Sequence, residues 1–161
     1  MKLLLFLPVG ASLVLIGCGV YSFSSSTLGG IKTIAVPQFE NRSLEYGIQD
    51  ELTSRVTEKL IADNTFKVVG VPEADAVLRG EITRYERNAY TYDKAENVSE
   101  YRVDIYVDFI LERKGGQAIV EKKNMVGYGI YSQAEQTEQN GKEAAIDKLA
   151  ADIVDQFTKS W

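Results

Sequence analysis

The chain has 161 residues, 45% of them hydrophobic, with 18 Lys and Arg against 23 Asp and Glu and no histidine. That size suits one domain with a sizeable core, and a net charge of −5 argues against general nucleic-acid binding and broad electrostatic adhesion to an anionic membrane, so that an anionic ligand would need a local basic patch. With no histidine and a single cysteine, Cys/His metal sites and Cys/His nucleophilic catalysis are excluded; a carboxylate-pair hydrolase stays formally open, but the expectation is a non-enzyme without metal or cofactor.

Lys2 gives the N-terminus its positive charge, and residues 3–16 form an apolar run broken only by Pro8, Gly10 and Ser12. A spanning helix needs about 20 apolar residues, so this shorter run reads as a secretion signal. It closes on Leu15-Ile16-Gly17-Cys18. Cys18 is then either a small apolar residue of a plain signal peptide or the end of a lipoprotein signal, and the order of charge, apolar run and cysteine favours the second. The segment resembles the bacterial lipobox. That resemblance implies removal of residues 1–17 and acylation of Cys18, palmitate included, as the first residue of the mature chain. One acyl chain binds marginally, at roughly 0.8 kcal/mol per buried methylene, whereas a triacylated Cys anchors firmly. Gly19 and Val20 stand where an inner-membrane retention Asp would follow the Cys, which implies the outer membrane, periplasmic side. Residues 18–30 are the lipidated Cys and a Ser/Gly-rich tether, in which Tyr21 and Phe23 either pack on the domain or sit at the membrane interface.

Residues 31–161 read as one domain. The β-branched run 31–36, closed by Pro37, predicts a first strand. Residues 39–43 are a loop, with Asn41 or Ser43 suited to cap a helix. Ile48, Leu52, Val56 and Leu60 recur every four residues and predict an amphipathic helix over about 44–63. A short strand follows at 66–69, then a turn through Gly70, Pro72 and Glu73. Alternation begins at Ala76 in a strand reaching about Tyr90, with Thr83, Tyr85, Arg102, Asp104 and Tyr106 assigned to the outer sheet face. Residues 101–111 alternate strictly: Tyr101, Val103, Ile105, Val107, Phe109 and Leu111 share the buried face. Lys114-Gly115-Gly116-Gln117 signals a hairpin turn. The returning strand runs from 118 to about 131, with Gly127 and Gly129 marking a bulge or a close approach. Residues 133–142 are polar, and Ile146, Leu149, Ile153 and Phe157 predict a second helix from Glu143 to near Trp161.

Two helices with one apolar face each, and a sheet with one apolar face, solve each other's burial problem. The fold class is therefore α+β, a two-layer sandwich with two helices on one face of a mainly antiparallel four- to five-stranded sheet.

The segments Ile34-Ala35-Val36-Pro37-Gln38-Phe39-Glu40-Asn41-Arg42, Asp50-Glu51-Leu52-Thr53 and Ala74-Asp75-Ala76-Val77-Leu78-Arg79-Gly80-Glu81-Ile82, together with the lipobox and Gly19-Val20-Tyr21-Ser22-Phe23 after it, resemble the LptE family of lipopolysaccharide-assembly lipoproteins. The resemblance implies a non-enzymatic plug inside the outer-membrane β-barrel LptD. It also implies assistance in barrel assembly, direct binding of lipopolysaccharide, and shared insertion of lipopolysaccharide into the outer leaflet. Other periplasmic lipoproteins share the α+β pattern, so the alternative is a regulatory lipoprotein that activates a cell-wall synthase or organises a secretion complex. About a dozen tether residues span only ~40 Å, which favours work close to the membrane.

Lipid A offers phosphates and sugars, and these call for Arg or Lys donors and aromatic faces. Arg84, Tyr85, Arg87, Tyr90, Tyr92, Lys94, Tyr101 and Arg102 gather both types along one hairpin, where five of the nine tyrosines fall between Tyr85 and Tyr106. These eight are the candidate ligand and partner contacts. The competing account is that Tyr and Arg serve as cross-strand partners, with Glu86, Asp93, Glu96 and Glu100 cancelling the local charge. A second basic group, Arg113, Lys114, Lys122 and Lys123, reads as a solvated turn and a lysine-guarded edge. The helix stripes read as core, and Trp161 either closes that core or meets the barrel wall.

Overall fold

The computed structural model describes residues 27–159. Cys18, Tyr21, Phe23 and Trp161, and with them the signal, tether and C-terminal readings, lie outside the described residues. The strands are β1 (Thr33–Ala35), β2 (Glu40–Asn41), β3 (Lys67–Val68), β4 (Ala76–Tyr92), β5 (Val98–Arg113) and β6 (Ala118–Ser132); the helices are α1 (Ile48–Asp63) and α2 (Glu138–Thr158). They form the expected α+β sandwich. The sheet has six strands in the order β3-β1-β4-β5-β6, with β2 also paired to β4. β1, β2 and β3 pair in parallel, and the long β4, β5 and β6 form an antiparallel meander.

The apolar stripes behave as their spacing requires. Ile48, Leu52, Val56 and Leu60 of α1 and Ile146, Leu149, Ile153 and Phe157 of α2 are buried against Val103, Ile105, Val107, Phe109 and Leu111 of β5. Each such side chain contributes about 1.5–3 kcal/mol when fully buried. Phe39, read as loop, lies over Gly80 of β4 and is buried with them; a Cβ on Gly80 would stand 2.7 Å from its ring tip.

The element ends differ from expectation for local reasons. α1 begins at Ile48, because Gly47 takes a left-handed conformation at φ 80 and the residues before it form a separate loop. α2 begins five residues before Glu143. Thr137 caps it reciprocally with Asn140, whose side-chain oxygen accepts the Thr137 N–H at 2.9 Å. Charge and Gly141 disguise this first turn in the sequence.

Two of the sheet's register shifts bear most on which side chains face where. Ile82 pairs with Val107 but Arg84 pairs with Tyr106, so Thr83 is a bulge residue. Side chains alternate with period two, so one inserted residue moves every later side chain to the other face. Tyr85, assigned from the sequence to the outer face, therefore lies on the helix side opposite Ile105, and Arg87 follows it. In β6 a second bulge lies between the Val107–Met125 and Phe109–Lys122 pairs. There Asn124 takes φ 55 and donates its N–H to Asp108 at 2.8 Å.

Gly127 and Gly129 mark a close approach. A Cβ on Gly127 would stand 2.5 Å from Leu149 Cβ, and one on Gly129 would stand 2.9 Å from Ala144 Cβ while striking the Gly141 carbonyl. α2 thus lies backbone to backbone on β6. Gly129→Ala is expected to cost about 1–3 kcal/mol of stability in denaturant titration. Gly70→Ala should change it by less than about 0.5 kcal/mol, because that Cβ meets only Pro72 at 3.7 Å.

The chain enters the domain beside Asp75. Its carboxylate accepts the Lys32 and Thr33 N–H groups at 2.9 and 3.0 Å, and these bonds hold it below the usual carboxylate value of 3.8. A depressed folded-state value adds stability that is complete above the unfolded value and disappears as pH falls through the folded one. Asp75→Asn is therefore expected to flatten the loss of stability below about pH 4, read as Tm against pH; an unchanged acid limb would contradict the assignment.

Candidate contact surface

The β4–β5 hairpin carries the eight candidate residues; strand alternation divides them between two faces, and the bulge at Thr83 decides which face each β4 residue takes. Tyr85, Arg87 and Tyr101 lie on the helix side at the start of α2. The Tyr85 hydroxyl donates to Glu138 at 2.7 Å. Burial, then the Glu138 hydrogen bond and charge, push this phenol far above its ordinary value. The Arg87 guanidinium lies 3.7 Å from the Tyr101 ring centroid, donates to the Tyr131 hydroxyl at 2.5 Å and pairs with Glu138 at 3.3 Å. Tyr101 in turn stacks on Tyr131 with centroids 5.7 Å apart.

Arg84 and Arg102 lie on the open sheet face. Arg84 sits 3.7 Å over the Tyr106 ring and pairs with Glu86 at 3.0 Å. Arg102 donates through two nitrogens to one oxygen of the buried Asp104, at 2.8 and 2.6 Å. It also lies 4.4 Å from the Tyr128 ring centroid, with Lys148 of α2 at 5.7 Å from the same ring. The result is a polar face built of stacked cation–ring pairs, each worth about 0.5–1 kcal/mol where exposed. Tyr90, Tyr92 and Lys94 are exposed toward the hairpin tip, where Asp93 accepts the Ala95 and Asn97 N–H groups at 2.8 and 2.9 Å and shapes the turn.

The structure therefore does not gather the eight residues into one patch. Arg87 and Arg102 hold the sheet and helix layers in shape. Arg84, Tyr90, Tyr92 and Lys94 present the outward chemistry. Among the described residues, no group of three or more His, Cys, Asp or Glu is placed to hold a metal ion, and no helix is long and apolar enough to cross a membrane.

Two features beside the hairpin escaped the sequence reading. Lys142, inside a stretch read only as polar, is 8% exposed and bridges α2 to Glu45 at 2.9 Å and Glu51 at 3.7 Å. Burial alone would lower the ammonium, but the Glu45 hydrogen bond and the charge of Glu51 outweigh it and hold Lys142 above its ordinary value. The second feature is the loop between β2 and α1. Asn41 does not cap the helix. Its amide donates to the Glu45 carbonyl at 2.8 Å and to Gln49 at 3.0 Å, and its oxygen accepts from the Ser43 N–H and hydroxyl at 2.9 and 2.7 Å. On this braced backbone Leu44 and Tyr46 point outward, 104% and 94% exposed. A Leu44 one repeat ahead of the α1 stripe looks helical in sequence; Gly47 was the signal that it is not. An open cleft of about 330 Å³ joins this loop to the hairpin at Thr83, Arg84 and Tyr85.

No curated protein matches the sequence. Among solved structures the chain is similar to a minor lipoprotein from Acinetobacter baumannii, at 20% identity over 80% of this chain and 91% of that one, with a TM-score of 0.55. It is also similar to the hypothetical protein CT253 from Chlamydia trachomatis, at 10% identity over 78% of this chain and 94% of that one, again with a TM-score of 0.55. At such identities the likeness is one of fold, and fold alone does not carry function. The family model described as LptE, lipopolysaccharide-assembly, matches residues 31–160, nearly the whole domain, and the chain belongs to that family.

Proposed function

We propose that this chain is an outer-membrane lipoprotein, held on the periplasmic side by acylated Cys18, that acts as plug and assembly partner of an LptD-like β-barrel. Together the two place lipopolysaccharide in the outer leaflet, and the chain itself catalyses no reaction. The observation that carries this reading is the family match over residues 31–160. The surface agrees with it. A barrel lumen is polar, and the open sheet face carries Arg84, Glu86, Arg102 and Asp104, with their charges matched among themselves. The tether of about twelve residues, ~40 Å at most, keeps the domain near its own membrane. That favours a barrel over a cell-wall synthase.

Direct contact with lipid A phosphates would fall to the most exposed cations of the hairpin. Arg87 is held by Tyr131 and Glu138, and Arg102 by Asp104. Lys94 is exposed, and Arg84 is exposed although it pairs with Glu86; they are the donors a phosphate meets first. A charge-assisted hydrogen bond contributes about 1.5–3 kcal/mol. Arg84→Ala/Lys94→Ala is therefore expected to weaken lipopolysaccharide binding by about tenfold or more, with only a small loss of Tm from the Arg84–Tyr106 contact; unchanged binding would remove these two from the site. Depletion of the protein in its own cell is expected to lower surface lipopolysaccharide and leave the barrel unassembled. Normal levels of both would overturn the proposed function.

A further inference from the structure

The loop 42–47 carries two features that seldom occur together. Its backbone is fixed: Asn41 ties it to itself and to α1, the Ser43 hydroxyl accepts the Glu45 N–H at 3.3 Å, and Lys142 of α2 holds the Glu45 carboxylate at 2.9 Å. Yet its two apolar side chains, Leu44 and Tyr46, are the most exposed large hydrophobic residues among the described ones. A mobile loop could fold such side chains away. This one cannot, because both neighbours of Glu45 are directed outward while Glu45 itself is pinned inward. Side chains held ready in this way lose little conformational entropy on binding, and Tyr is a preferred anchor at protein interfaces.

We propose that Leu44 and Tyr46 form a preformed apolar anchor that seats in a socket on the inner wall of the β-barrel partner, an inference that rests on the function proposed above. Three observations choose a barrel wall over a lipid surface. The chain enters the domain at the opposite end, where the Leu28 carbonyl accepts from Arg113 at 2.8 Å and Ile34 pairs with Ala76. Asn41, where the loop begins, pairs with Ile82. Six residues of strand therefore separate the two levels, about 20 Å. With the tethered end at the mouth of a barrel, the loop stands within the height of its wall, whose apolar band is about 25 Å tall. Secondly, the anchor is small and rimmed by Arg42, Glu45 and Arg84. That suits one apolar depression in a polar lumen, where a broad greasy face would not fit. Thirdly, the cleft between loop and hairpin, about 330 Å³, leaves room for a side chain of the partner beside Leu44.

The test uses the full acylated chain, tagged and solubilised from its own membrane in mild detergent, with co-purified β-barrel identified by mass spectrometry. Leu44→Asp/Tyr46→Asp is expected to lower barrel recovery at least tenfold with Tm unchanged, since neither side chain touches the core. Ile61→Ser/Val71→Ser, which alters exposed apolar residues elsewhere, should leave recovery unchanged. A photo-crosslinker at Tyr46 is expected to capture the barrel. Full recovery of barrel with the double Asp variant, or crosslinks to lipid alone, would overturn the anchor while leaving the barrel partnership standing. Absence of any barrel with the unaltered chain would overturn both.

Discussion

The rest of the structure depends on how closely α2 lies on β6. Gly127 and Gly129 on the strand and Gly141, Ala144 and Ala145 on the helix remove the side chains that would otherwise hold the two backbones apart. Helix and sheet normally meet through interdigitated side chains, so a contact made of carbonyls and small residues fixes the spacing tightly. Much else follows from that spacing. It brings Gly141 against the Tyr131 ring, and Tyr131 then stacks on Tyr101 and accepts from Arg87. It also places Glu138 within reach of Tyr85 and Arg87, and Lys142 within reach of Glu45. The glycines thus act through a chain of contacts on a loop of α1 and on the base of the hairpin, although neither touches them.

The long-period features of the fold were legible in the sequence. Strict alternation in residues 101–111 and four-residue repeats in the helices report burial directly, because burial imposes those periods. The faces beyond Thr83 were not legible. A bulge costs one residue and leaves no compositional mark, so Tyr85 read as sharing the outer face with Arg102 when it lies on the other side of the sheet. The first turn of α2 was hidden for a different reason. Its buried positions hold Gly141 and Lys142, chosen for close approach and for pairing with Glu45, and neither signals burial by polarity. Of the candidate contacts, the sequence placed all eight on one hairpin but could not tell cations that build the fold from cations that face solvent. That distinction is made by partners distant in sequence: Glu138 and Tyr131 for Arg87.

The open sheet face shows how a chain of net charge −5 keeps an exposed sheet from becoming a sticky one. Arg84 covers the Tyr106 ring and Arg102 the Tyr128 ring, while Glu86 and Asp104 neutralise both cations. Aromatic rings give the strands cross-strand packing, and the guanidinium planes return the surface to water. A face assembled in this way is wet and has its charges paired. It can lie against a polar wall without a large desolvation cost, because each charge already has its counter-charge beside it.

A face of that kind supplies fit but little affinity, and the molecule answers this with asymmetry. Leu44 and Tyr46 stand beside the polar layer, on a loop braced by Asn41 and Lys142, and are almost fully exposed. Interfaces draw most of their binding energy from a few desolvated anchors and use the surrounding area for complementarity. A charge-matched sheet face beside two rigid apolar side chains is that division of labour within one domain. The network that braces the loop runs through Lys142 to α2, and α2 is set by its contact with β6. The anchor's position is therefore tied to glycines in the contact between α2 and β6, and a partner that grips the loop reads the packing of the whole domain.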